Sequence, residues 1–133
     1  MAASLFKPGF RLSRLDIVIL LVGVIGAVLA GSVALYAGFV VAFVVGHFFL
    51  FCNVLRVSRL PELAWAIIFI GLSASTILAG QPGWLVTAGC SLMVTIGIIF
   101  REVGKPSYHG VFWRTWNPGL EAWWLSNVHK GSR

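Results

Sequence analysis

Acidic side chains are almost missing: Asp16, Glu62, Glu102 and Glu121 are the only ones in 133 residues. They lie far apart in the chain, so paired-carboxylate hydrolysis and hard-metal centres have no obvious place. Cysteine is equally scarce. Cys52 and Cys90 form no CxxC pair, and their expected depths in separate helices differ by ~10 Å, too far for a disulfide. HExxH, GxSxG and a Gly-rich phosphate loop opening a helix are all lacking. The chain is therefore not expected to be an enzyme. Charge as a whole is thin at 11%, which cannot cover the surface of a soluble domain of this size.

What is present in excess is apolar residue, 59% of the chain, in long unbroken runs. Between Leu15 and Leu55 the only charged side chain is Asp16. That run is about twice the ~20 residues one crossing needs. Gly31 and Ser32 permit a tight turn in "AGSVALYAG", so the run is read as two helices, about 15–31 and 35–55. "RVSRLPE" then brings charge, and Pro61 suits the first turn of a third helix over 62–79. "GQPG" reads as a turn, followed by a fourth helix over 84–100. The expected fold is an all-α integral membrane protein of four transmembrane helices in two hairpins, plus a C-terminal interfacial amphipathic segment. Residues 1–14 form an N-terminal segment, 15–101 the transmembrane domain and 102–133 a Trp-rich tail.

The cations test this count. All ten Lys and Arg fall on one side of the four-helix arrangement, and the two opposite turns carry none. The positive-inside rule then puts both termini in the cytoplasm, with a bacterial inner membrane as the expected location. A competing reading takes the basic start, the apolar run from Ile17 and "VLA" before Gly31 as a signal peptide cleaved after Ala30. The second apolar stretch follows almost at once, which favours a retained hairpin. The net charge of +6 hugs the membrane, so anionic lipid headgroups rather than nucleic acid are the expected partner.

Helices in lipid associate by close packing through small residues at every fourth position. Gly38, Ala42 and Gly46 make such a stripe on the second helix, and Gly71 and Ser75 lie on one in the third. Gly23, Ala27 and Gly31 in the first helix and Thr87, Ser91 and Thr95 in the fourth complete the set, pointing to a tight bundle. Asp16 fits a capping box, with Ser13 as N-cap in "SRLD".

His47 is the one ionisable side chain expected near mid-membrane. It stands nine positions before Arg56, ~13 Å below the interface. Two roles fit: a neutral imidazole bonded to a Ser or Thr of the third or fourth helix, or an axial ligand to haem or a chlorophyll-type ring lined by Phe48, Phe49 and Phe51.

Four of the six tryptophans crowd into "VFWRTWNPGLEAWW". Asn117 and Pro118 suit the start of a short helix whose apolar side holds Leu120, Trp123, Trp124 and Val128. Trp favours the membrane–water boundary, and Arg114, Lys130 and Arg133 reach phosphates, so the tail is expected along the cytoplasmic face rather than in a core. Trp113, Arg114, Trp116, Trp123 and Trp124 are the expected contacts to lipid or to a partner subunit. Together these features point to a non-catalytic accessory subunit of a larger membrane complex. The alternative is a His47-ligated haem- or chlorophyll-binding subunit, and after it a small transporter or channel.

Overall fold

The computed structural model describes residues 6–128, which are mostly helical with no strand among them. His129, Lys130 and Arg133 lie outside the described residues. Four helices are long and apolar enough to cross a membrane: α1 (Arg14–Val33), α2 (Leu35–Phe49, extended by a π-helical turn Leu50–Val54), α3 (Arg59–Ala79) and α4 (Trp84–Val103). Two short helices, α5 (Trp113–Trp116) and α6 (Leu120–Val128), follow. The chain is thus an all-α membrane protein of two helical hairpins with a C-terminal aromatic segment.

Helix α1 starts on the expected capping box. The Asp16 N–H donates to Ser13 Oγ at 3.2 Å, and the Ser13 N–H donates to Asp16 Oδ2 at 2.7 Å. Both otherwise orphaned amides are satisfied where the chain enters the bilayer. Ser13→Ala is expected to lower stability by about 1 kcal/mol, read as a shift of the thermal unfolding midpoint in detergent.

The first turn is tighter than the sequence suggests. Gly31 and Ser32 remain helical, and the reversal falls on Ala34 alone, in an extended conformation (φ −151°, ψ 126°). The close packing beside it depends on Gly38 instead. A Cβ on Gly38 would lie 2.6 Å from Gly31 Cα and 2.8 Å from the Ala27 carbonyl oxygen. Backbone therefore meets backbone just beyond the turn, which only glycine allows. Deeper in the hairpin, Gly23 accommodates the Val45 side chain, 2.7 Å from where a Cβ would stand.

Helices α3 and α4 pack through hydroxyls. Thr76 Oγ1 and Thr87 Oγ1 share a hydrogen bond of 3.0 Å, and Ser91 and Thr95 each donate at 2.8 Å to the carbonyl four residues back. These groups are buried and have no water to bond in lipid, so the i−4 carbonyls satisfy them. Helix α3 begins at Arg59, a turn earlier than expected, with Ser58 preceding it; it ends at Gly80 in the left-handed region (φ 68°). Helix α4 continues past Phe100 to Val103.

The bundle is uneven in depth. Helix α1 packs along α2 and buries no residue of its own, so the interior is made by α2, α3 and α4.

Candidate functional site

The interior is an aromatic column. Phe43, His47 and Phe51 are spaced one turn apart on α2, so they share a face. Trp65 and Phe69 face them from α3. The imidazole of His47 stacks on the Trp65 ring with centroids 4.3 Å apart and planes at 16°, and Trp65 stacks in turn on Phe69 at 5.2 Å. Trp65 Nε1–H donates to the Ser91 carbonyl oxygen of α4 at 3.1 Å. One side chain therefore joins three helices. Nothing in the local sequence marks Trp65; its helical distance from Phe69 is the one signal that was present.

His47 is 92% removed from solvent, with 8% exposed. Its hydrogen bond goes neither to Ser nor to Thr of a neighbouring helix, as expected, but from Nδ1 to the Phe43 carbonyl oxygen at 2.8 Å. A carbonyl only accepts, so Nδ1 carries the proton and Nε2 of the neutral ring keeps its lone pair. Thr76, Thr87, Ser91 and Thr95 are already engaged with one another and with backbone carbonyls, whereas the Ser73 hydroxyl of α3 is buried with no hydrogen-bond partner among the described residues.

The packing positions divide sharply. Gly38 is buried against α1, and Ala42 and Gly46 line the apolar groove between α1 and α2 with Gly23, Ala27 and Val45. An added Cβ on Gly46 or Gly71 would meet nothing within 4 Å, and the same is true of Gly89 and Gly97. Ser75 donates to the Gln81 carbonyl oxygen at 2.6 Å and so holds the α3–α4 turn rather than a helix contact.

At the basic end, residues 6–13 and 104–128 fold back over the helices as a cap. Main-chain bonds run from Gly9 N to His109 O (2.7 Å), Arg11 N to Asn53 O (3.1 Å) and Val111 N to Val54 O (2.8 Å). The last two reach carbonyls in the π-helical turn, a turn unannounced by the sequence; as the last of the helix, these carbonyls have no intrahelical partner of their own. Gly110 has no room for a Cβ, which would meet Leu55 O and, at 2.6 Å, Tyr108 Oη. Tyr108 is buried and donates to Val111 O at 2.9 Å; burial pushes its phenol pKa up.

The Trp-rich tail is part of this cap. Phe6 packs against Trp113 at 5.9 Å and Trp124 at 5.4 Å, while Arg114 lies over the Trp113 ring at 5.5 Å. Trp123 is half-buried, and Trp116 is exposed beside Phe112 at 5.5 Å. Leu120 is fully buried, so the tail has an inner side as well as an outer one, contrary to the expectation that it stays clear of any core. Asn117 is not the N-cap of α6. Its Nδ2 donates to Pro106 O at 2.8 Å and Tyr108 O at 3.0 Å, pinning the segment that follows α4.

Among the described residues no three His, Cys, Asp or Glu side chains gather as a metal site. The chain matches no protein-family model, no curated protein and no solved structure.

Proposed function

We propose that this chain is a non-catalytic accessory subunit of a larger membrane complex, held in a bacterial inner membrane with both termini cytoplasmic. The observation that supports the reading is the set of unused glycines. In lipid, a glycine on a helix surface earns its place by letting another backbone approach. Gly31 and Gly38 do this within the chain and Gly23 makes room for the Val45 side chain, whereas Gly46, Gly71, Gly89 and Gly97 face open space. Each of these costs about 0.8–1 kcal/mol of helix stability relative to Ala with no return inside the monomer. A helix of a neighbouring subunit supplies that return. The one-sided cations favour the cytoplasmic placement of the cap, and the exposed Phe112, Trp116 and Leu125 suit the boundary between lipid and partner.

Purification in mild detergent is expected to bring other membrane proteins down in fixed ratio. Gly71→Leu and Gly89→Leu are expected to leave the chain folded and release them. A wild-type chain that runs as a lone monomer defeats the reading.

A second reading rests on His47. Donation from Nδ1 to a backbone carbonyl leaves Nε2 in the form a metal-ligating histidine takes. A haem or chlorophyll-type ring at Nε2 requires a visible absorption band that vanishes in His47→Ala; a colourless native preparation ends this reading.

A further inference from the structure

Beneath the cap lies a polar cavity of about 300 Å³, walled by Arg56, Ser58, Glu102, Lys105, Ser107 and His109. It sits where the α2–α3 connection meets the segment after α4, just beyond the apolar spans and so at the depth of lipid headgroups. Its size is at the lower end of small-ligand pockets.

The charge in this cavity is unbalanced. Glu102 is its one acid, buried and ion-paired to Lys105, with Ser58 Oγ donating to the same carboxylate oxygen at 3.4 Å. That pair cancels. Arg56 is left over: among the described residues no carboxylate lies within salt-bridge distance of it. Its side chain makes a single hydrogen bond there, from Nη1 to Lys7 O at 2.5 Å, out of five N–H donors. Burial, and then the charge of Arg11, lower its pKa, as befits a cation short of compensation.

Two further features converge on the same guanidinium. Arg56 is held in the left-handed region at φ 51°, a conformation that costs a non-glycine residue energy and that collects at functional positions. On its other side is a smaller chamber of about 40 Å³, lined by Lys7, His109 and Trp124 among others. The Trp124 indole N–H is buried with no acceptor among the described residues. Both chambers thus border the Arg56 guanidinium, and the only carboxylate among their described lining residues is Glu102, already paired to Lys105. An oxyanion supplies what is missing.

We propose that this cavity binds a phosphoester group, with Arg56 as its charge partner and Ser107 and His109 beside it. The group belongs to an anionic phospholipid headgroup or to a soluble phosphate ester, and the proposal stands independently of the accessory-subunit reading.

The test uses the full chain in mild detergent, titrated with short-chain phosphatidylglycerol, phosphatidylcholine and glycerol 3-phosphate, with binding followed by tryptophan fluorescence and native mass. Arg56→Asn is the informative variant, because Asn tolerates the left-handed backbone while removing the charge. Arg101→Asn, an exposed cation outside the cavity, is its control. The expected result is that wild type prefers phosphatidylglycerol to phosphatidylcholine, that Arg56→Asn weakens this binding about tenfold or more, and that Arg101→Asn does not. Glycerol 3-phosphate binding with the same dependence on Arg56, without any lipid preference, identifies a soluble ester as the ligand. Equal affinity of Arg56→Asn and wild type overturns the proposal. If Arg56→Asn does not fold, the wild-type titration decides: selective binding of either phosphoester over phosphatidylcholine sustains the site, and none removes it.

Discussion

Gly38→Ala is expected to pull α1 away from α2. The new methyl would lie 2.6 Å from Gly31 Cα, 2.8 Å from Ala27 O and 2.9 Å from Gly31 N. All three are backbone atoms of a hydrogen-bonded helix, so no side chain can rotate aside. Overpacking of this kind costs roughly 1–3 kcal/mol, and the upper part of that range is expected here because the obstacle is main chain. Helix α1 is held mainly by α2 along its half-buried face, since none of its residues is fully buried, so a wedge at the closest approach is felt along the whole contact. Disulfide trapping between cysteines introduced at Gly26 and Val41, where a Gly26 Cβ would lie 3.8 Å from the Val41 side chain, in a Cys-free background measures the separation: efficient in the parent, much reduced with Gly38→Ala. Gly46→Ala provides the contrast on the same helix. Its methyl meets nothing within 4 Å, so the isolated chain is expected to keep its crosslink and gain up to about 1 kcal/mol from helix propensity. Equal behaviour of the two variants would show that the α1–α2 contact is not made at Gly38.

Trp65→Ala is expected to be the most damaging single change. The ring is 3% exposed, stacks on His47 and Phe69, and meets Phe43 and Phe51 at 5.9 and 5.7 Å. Removing it opens a large void where three helices meet, a loss of about 3–5 kcal/mol for a buried aromatic. Trp65→Phe separates packing from hydrogen bonding. It keeps a ring in the stack and gives up the bond to Ser91 O, which retains the Thr95 hydroxyl as a donor. Its cost is therefore expected to be nearer 1 kcal/mol. Thermal unfolding of both variants in one detergent checks the ordering; a Phe variant as unstable as the Ala variant would place the indole hydrogen bond, rather than the stack, at the centre of the fold.

Helix number and type were readable because hydrocarbon thickness imposes a length and forbids charge inside it. The Ser13–Asp16 capping box was readable because it is local, three residues apart in sequence. Which face of each helix meets which neighbour was not. In a soluble helix an apolar stripe marks the buried side, but these helices are apolar on nearly every side, so the pattern carries no direction. Small-residue spacing therefore flagged Gly38 and Gly71 alike, although backbone crowds only Gly38. The partner of His47 differs from the expected Ser or Thr for a related reason: the backbone carbonyl one turn back is always within reach of a helical side chain. The polar cavity was invisible, since its walls come from residues 56–58 and 102–109, brought together only by the folding of the tail.

The cap also has a mechanical meaning. It ties the end of α2 to the segment beyond α4 through Val54 and Val111, and to the segment before α1 through Asn53 and Arg11. These braces lie outside the hydrocarbon, at one end only; at the other end the stacking of Tyr36 on Trp84 is the corresponding link between hairpins. A bilayer that thins or thickens changes the tilt of its helices. The end tied by main-chain hydrogen bonds, the one that carries the positive charge, therefore resists such a change more than the end joined by ring contacts, while the column of His47, Trp65 and Phe69 ties the hairpins between them.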